Sequence, residues 1–93
     1  MEIEYDSIKR ELLLSARGLD MARCGEAFDT FHLTKPDERH SEHEQRFRSF
    51  ASLDNTVVII AWTQRGNVRR IITMWKANDR ERQSYRLARE RSG

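Results

Sequence analysis

The sequence predicts an α+β fold: two N-terminal helices packed on an antiparallel β-meander, with a third helix at the C-terminus. Three observations carry this reading. Apolar residues recur at helical spacing in the first third of the chain. Between Gln45 and Trp75 the pattern changes to strand-like stretches separated by turn residues. After Ala77 an Asn-Asp pair opens a charged segment of helix-forming composition.

Ile3 to Tyr5 can form a short strand. Asp6 is a good N-cap, because its carboxylate can accept from the orphan amides of a first helical turn. The helix it opens runs to about Ala16, with Ile8, Leu12 and Leu13 expected on its buried side, and Gly18 suits the left-handed residue that ends a helix. Asp20 is a second N-cap. Met21, Cys24, Ala27, Phe28 and Phe31 follow at three- and four-residue spacing, which predicts an amphipathic second helix with Cys24 inside its apolar stripe. Thr34 to Glu44 is polar, holds the only proline and reads as a loop. Gln45 to Ala51 reads as a strand with Arg46 and Arg48 on one face. Leu53-Asp54-Asn55 is a turn, and Val57 to Thr63 is apolar on both faces, as a central strand would be. Gln64 to Asn67 turns the chain back, and Val68 to Trp75 completes a hairpin. Asn78 or Asp79 caps a last helix reaching roughly Arg89, whose apolar stripe is thin: Tyr85 with Leu87 or Ala88.

The 93 residues are read as one domain, with 90–93 a frayed tail. The net charge of +2 conceals a division. Residues 1–44 carry 6 basic and 11 acidic side chains (−5), and residues 45–93 carry 11 basic and 4 acidic (+7). Of the 17 basic residues 14 are Arg, whose planar fork suits phosphate and carboxylate partners better than the ammonium of Lys. Such asymmetry points to a nucleic-acid or acidic partner for the basic half; the plainer reading is an Arg-rich face that keeps a small protein soluble. The longest apolar run, Val57 to Trp62, is far shorter than the roughly twenty residues of a membrane span. The N-terminus is acidic, without an apolar leader, and the single Cys24 rules out an internal disulfide. A cytoplasmic protein with no membrane contact is expected. With Arg46, Arg48 and either Arg69 or Arg70 on adjacent strands, a cation cluster forms that needs a counter-anion, either a local carboxylate or a bound phosphate.

The chain resembles the BrnT family, whose members are the toxin half of a bacterial type II toxin–antitoxin module and have a RelE-like fold. The resemblance runs from about Ile3 to Tyr85. Its motifs here are Tyr5-Asp6 with Lys9, Gly18-Leu19, Phe28-Asp29, Asp37-Glu38-Arg39 followed by Glu44-Gln45-Arg46, Thr63-Gln64-Arg65, Arg70-Ile71-Ile72-Thr73, and Ala77 with Glu81 and Tyr85. It implies an endoribonuclease that arrests translation and a BrnA-type ribbon-helix-helix antitoxin. DNA would be bound only through the complex of the two. The chain also departs from the family pattern. Ala16-Arg17 replaces Lys-His, Leu13 replaces Asn, and His43 replaces Gly. Trp75, followed by Lys76, stands where an Arg is usual. Losing that cation suggests a second reading, a toxin-like module that binds its antitoxin and regulates transcription but cleaves weakly or not at all.

Cleavage of RNA through its 2′-hydroxyl requires a base, donors for the charge gathering on phosphorus, and an acid for the leaving oxygen. Glu44, His40 and His43 are candidate bases or acids, and Arg46, Arg65 and Arg70 are candidate phosphate clamps. Glu44, Arg46, Arg65 and Arg70 are therefore assigned as the catalytic set. Lys9, Trp75, Lys76 and Tyr85 are assigned to substrate binding, with Trp75 stacking on a base. Each has a plainer reading. Glu44 with Arg46 is often only an ion pair at a strand edge. Tyr85 can simply anchor the last helix. His40-x-x-His43-Glu44 is weak as a metal motif, and no metal or cofactor is expected. The arginines from Arg80 to Arg91 form either a solvated face or a docking surface for an acidic antitoxin segment.

Overall fold

Three polar side chains set the helix starts. The Asp6 carboxylate accepts from Lys9 N–H at 2.9 Å, that of Asp20 accepts from Ala22 N–H at 2.9 Å, and the Asn78 amide oxygen accepts from Glu81 N–H at 2.8 Å. Glu81 returns the last contact by accepting from Asn78 N–H at 2.9 Å, so the final helix opens on a reciprocal capping box. The computed structural model describes residues 2–93. Strand β1 (Glu2–Glu4) leads into α1 (Ser7–Arg17), which ends at Gly18 with φ of 68°. A 3₁₀ turn (Met21–Arg23) and the short α2 (Cys24–Phe28) follow. Then come β2 (Leu33–Pro36), a second 3₁₀ turn (Glu38–His40), β3 (Arg46–Leu53), β4 (Thr56–Arg65), β5 (Val68–Lys76) and α3 (Asp79–Ser92).

The α+β class and the β3–β4–β5 meander are present, but the helices are arranged differently from expectation and the sheet is larger. The five strands lie in the order β1-β5-β4-β3-β2, all neighbours antiparallel except β1 with β5. The stretch read as a loop from Thr34 begins as strand β2. It is an edge strand, where Pro36 costs no ladder hydrogen bond, and the Thr34 and Ser49 hydroxyls meet at 2.7 Å across the β2–β3 pair. The second helix is only a 3₁₀ turn and five residues of α-helix, with Gly25 near its start. Met21, Cys24, Ala27 and Phe28 are buried as expected, whereas Phe31 lies beyond the helix and packs elsewhere.

Helix α1 differs most. Only Leu13 is buried, while Ile8 is 73% and Leu12 64% exposed. The helix touches β5 and the first 3₁₀ turn. β1 pairs with β5 only from Val68 to Arg70. Arg17 then supplies a donor at 2.7 Å to the Met74 carbonyl, beyond that pairing. α3 runs on to Ser92, past the expected end near Arg89.

The sheet has a core on each face. One face carries Ala51, Leu53, Val58, Ile60, Trp62, Ile71 and Met74 against Leu13, Leu19, Met21, Cys24, Ala27 and Phe28. The other face packs Phe50 and Ile59 against Ala77 and Tyr85, with Phe31, Leu33, Val57 and Trp75 at the margin. α3 covers only this end of the second face. The Asp54-Asn55 turn has φ of 51° and 62°, the twist a two-residue hairpin needs. Arg23 braces it by pairing with Asp54 at 2.6 Å while also holding Glu26 at 2.9 Å. No helix among the described residues is long and apolar enough to cross a membrane.

Candidate phosphate site on the open sheet face

Strand alternation decides which arginines share a face. β5 pairs with β4 as Ala61↔Thr73 and then Trp62↔Ile71, so Ile72 is an extra residue. This bulge brings Arg70 and Thr73 to the same face, three positions apart, where an unbroken strand would separate them. Arg69 consequently joins the face covered by α2. Its guanidinium lies 3.9 Å from the Phe28 ring centroid and 5.0 Å from that of Trp62, and burial pushes its pKa down. The alternative the sequence left open is resolved: Arg70, not Arg69, lies on the face of Arg46 and Arg48.

Two rows of side chains cross the half of this face that α3 leaves uncovered. One runs Arg46, Thr63, Arg70, Glu4 across β3, β4, β5 and β1. The other runs Lys35, Arg48, Ala61, Thr73 across β2, β3, β4 and β5. The middle of both rows is Ala61, Thr63 and Thr73, so the floor is shallow and an anion can approach between the guanidiniums. The Nε atoms of Arg46 and Arg48 are shielded from water and have no hydrogen-bond partner. A buried donor left unsatisfied costs about 1–3 kcal/mol. Unit charges 7–8 Å apart repel by about 2 kcal/mol at an effective dielectric of about 20. Two carboxylates offset this in part: Glu44 lies 3.9 Å from both Arg46 and Arg65, and Glu4 lies 4.0 Å from Arg70. These separations exceed hydrogen-bond length, so the guanidiniums keep free donor edges.

The connection from β2 to β3 overhangs the site. Asp37 N–H donates to the Arg46 carbonyl at 2.8 Å. The Ser41 hydroxyl donates to the Asp37 carbonyl at 2.6 Å and accepts from Arg46 N–H at 2.9 Å. Thr63 donates to the Gln45 carbonyl at 2.7 Å. These bonds close the loop on itself and hold Arg39, His40, Glu42, His43 and Glu44 around a cleft of about 270 Å³ with Arg46 at its base. His40 Nδ1 lies 3.1 Å from an Asp37 carboxylate oxygen. Among the described residues no three His, Cys, Asp or Glu side chains converge as a metal site.

Of the residues assigned from sequence, the structure brings Glu44, Arg46, Arg65 and Arg70 together. Trp75 pairs with Ile59, packs on the second core and borders a cleft shared with Arg48 and His40. The remaining three stand apart. Tyr85 is 5% exposed, with its ring edge-on to Phe31 and its hydroxyl 3.5 Å from the Phe31 carbonyl, so it anchors α3 rather than lining the site. Lys76 borders a separate cleft with Leu19, Arg23 and Asp54. Lys9 sits one turn before Leu13 on α1, a helix whose buried residue joins the core on the opposite face of the sheet. Lys35 was missed. The Leu33-Thr34-Lys35 alternation ahead of Pro36 was the available signal for an edge strand, and the polar run beyond it concealed that signal.

Fold and site together define a small α+β domain with a cluster of guanidiniums on a partly open sheet face. The family model of the ribonuclease toxin BrnT, of type II toxin–antitoxin systems, matches residues 5–81, and the chain belongs to that family. An RNA target and an antitoxin partner come with this membership. No curated protein matches the sequence.

Proposed function

We propose that this chain is a metal-independent endoribonuclease that cleaves RNA on the open sheet face and thereby inhibits translation in the cytoplasm. A BrnA-type ribbon-helix-helix antitoxin neutralises it, and DNA is contacted only through that complex. The observation that carries the reading is the pair of unpartnered Nε donors of Arg46 and Arg48 beside Arg70. Three guanidiniums around a floor of small residues match a phosphodiester, whose non-bridging oxygens accept hydrogen bonds from guanidinium forks. When the 2′-oxygen attacks, negative charge accumulates on those oxygens, and donors already in place stabilise it without reorganisation. Glu44, 3.9 Å from both Arg46 and Arg65, offsets part of their charge. Trp75, on the border of the Arg48 cleft, offers a stacking surface to a neighbouring base. The test is incubation of partner-free protein with single-stranded RNA. Cleavage that disappears on Arg70→Gln with the fold intact supports the reading, and a folded parent that leaves RNA whole at every ratio overturns it.

One feature favours a second reading, a silent module that only binds its antitoxin. Trp75 occupies the position where an Arg is usual in the family, so the site carries one cation fewer. Trp75→Arg separates the two. Growth arrest by the restored form alone supports the silent module, whereas arrest by the parent excludes it.

A further inference from the structure

The guanidinium rows can hold a phosphodiester, but they do not move a proton. The group that does so must have a free nitrogen or oxygen facing the rows and a fixed orientation. Glu44 lies 3.9 Å from each of two guanidiniums, and among the described residues no hydrogen bond fixes its orientation. His40 fits better. Its Nδ1 meets Asp37 at 3.1 Å, while the imidazole side chain is 63% exposed and the Asp37 side chain only 13%. A shielded carboxylate thus backs a solvent-facing ring. With Nδ1–H donated to that carboxylate, Nε2 carries the free lone pair. The Asp37 main chain is tied to the site, because its N–H is bonded to the Arg46 carbonyl and Ser41 clamps the turn between them. His40 also stands where the two clefts of this face meet, one with Glu44 and Arg46 and the other with Arg48 and Trp75. His43 lines the first cleft only.

We infer that His40 is the proton-accepting residue of this site and that Asp37 is its positioning residue. The inference rests on the ribonuclease reading above and assigns the chemistry within it. His40 Nε2 takes the proton of the 2′-hydroxyl as the 2′-oxygen bonds to phosphorus. The bond from phosphorus to the 5′-oxygen breaks, that oxygen takes a proton from water, and the His40 imidazolium gives its proton to the hydroxide left behind. The products are a 2′,3′-cyclic phosphate end and a 5′-hydroxyl end. Besides Asp37, the charged and titratable groups lining the clefts around the ring are Glu38, Arg39, Glu42, His43 and Glu44 from the loop. Arg46 and Arg48 line them from β3.

The experiment compares the parent with His40→Gln, Asp37→Ala, Asp37→Asn and His43→Gln. It measures cleavage of an RNA oligonucleotide across a pH series and binding of the same oligonucleotide with 2′-O-methyl sugars. His40→Gln should lower the cleavage rate by about 10²–10⁴-fold, the range for a lost general base, and leave binding of the methylated RNA unchanged. The fall in rate on acidification, present in the parent, should vanish in that variant. Asp37→Ala should lower kcat with KM retained, and Asp37→Asn should restore part of it. A parent-like rate for His40→Gln, or a loss produced by His43→Gln in its place, would overturn the assignment while the ribonuclease reading stands. A folded parent with no cleavage at all would overturn both.

Discussion

Arg46 and Arg48 stand two residues apart on one face of β3, and the Nε of each is shielded from water without an acceptor. Arg69 has the same deficiency, but there the guanidinium is covered by the rings of Phe28 and Trp62. The β3 pair instead lines two clefts, Arg46 the one with Glu44 and Arg48 the one with Trp75. An incoming phosphate would supply the missing acceptors and relieve the repulsion within the rows. RNA binding should therefore be steeply salt-dependent. Arg46→Gln and Arg48→Gln should each reduce the slope of log Kd against log salt by about 0.7, the value for one single-strand phosphate contact. Fluorescence anisotropy with a labelled oligonucleotide at several salt concentrations measures this.

Arg69 and Arg70 are neighbours in sequence with opposite assignments. Arg69→Gln should destabilise the fold by about 1–2 kcal/mol, since a partly desolvated cation over two aromatic rings is lost. Arg70→Gln should leave stability within about 0.5 kcal/mol, as its only ion pair among the described residues is the 4.0 Å contact with Glu4. Its cleavage rate should nevertheless fall by about 10²–10³-fold, as for the loss of one donor at a developing oxyanion. Urea unfolding and single-turnover cleavage, run on both variants, test the crossover.

Tyr85 should behave as a core residue. Tyr85→Phe keeps the ring against Phe31, Phe50 and Ile59, so stability should change by less than about 1 kcal/mol and RNA affinity should be unaltered. Tyr85→Ala should cost about 3–5 kcal/mol, enough to unfold a marginal domain. Loss of RNA affinity in Tyr85→Phe would return this residue to the substrate site.

Asp20 links pH to stability. The Arg10 guanidinium, bonded to it at 2.8 and 2.9 Å, holds its carboxyl near 2, below the ordinary 3.8. The folded state then binds this proton less tightly than the unfolded chain. The contribution is complete above about pH 5 and is lost as pH falls from about 4 through 2. Asp20→Asn keeps a capping oxygen for Ala22 N–H but removes the ion pair, so its stability should fall less on acidification than the parent's. Asp20→Ala loses the cap as well and should be less stable than Asp20→Asn by about 1 kcal/mol at neutral pH. Denaturant midpoints between pH 2 and 7 report both effects.

Local signals in the sequence foretold local features. Asp6, Asp20 and Asn78 cap the helices they precede, Asp54-Asn55 makes the hairpin turn, and Arg46 and Arg48 share a face by simple alternation. Features that depend on partners distant in the chain were hidden. The bulge at Ile72, which separates Arg69 from Arg70, has no local signature, because it is a mismatch between two strands. The partner of β1 is β5, some sixty-five residues away, and nothing in Glu2-Ile3-Glu4 names it. Ile8 and Leu12 satisfy helical periodicity, yet α1 turns Leu13 inward and leaves both exposed. The proline that marked Thr34 to Glu44 as loop is equally at home on an edge strand, so Lys35 went unseen as part of the cation rows. The acidic first half also reaches the site directly, through Glu4, Asp37 and Glu44.

The rows of Arg46, Arg48 and Arg70 are the proposed RNA-cleaving site. Single-turnover cleavage of a labelled single-stranded RNA tests that assignment most directly, with partner-free parent and Arg70→Gln compared after circular dichroism shows both folded. The parent should yield discrete fragments ending in 2′,3′-cyclic phosphates, and the variant a rate about 10²–10³-fold lower. Intact RNA with the folded parent, or equal rates from the two proteins, would contradict it.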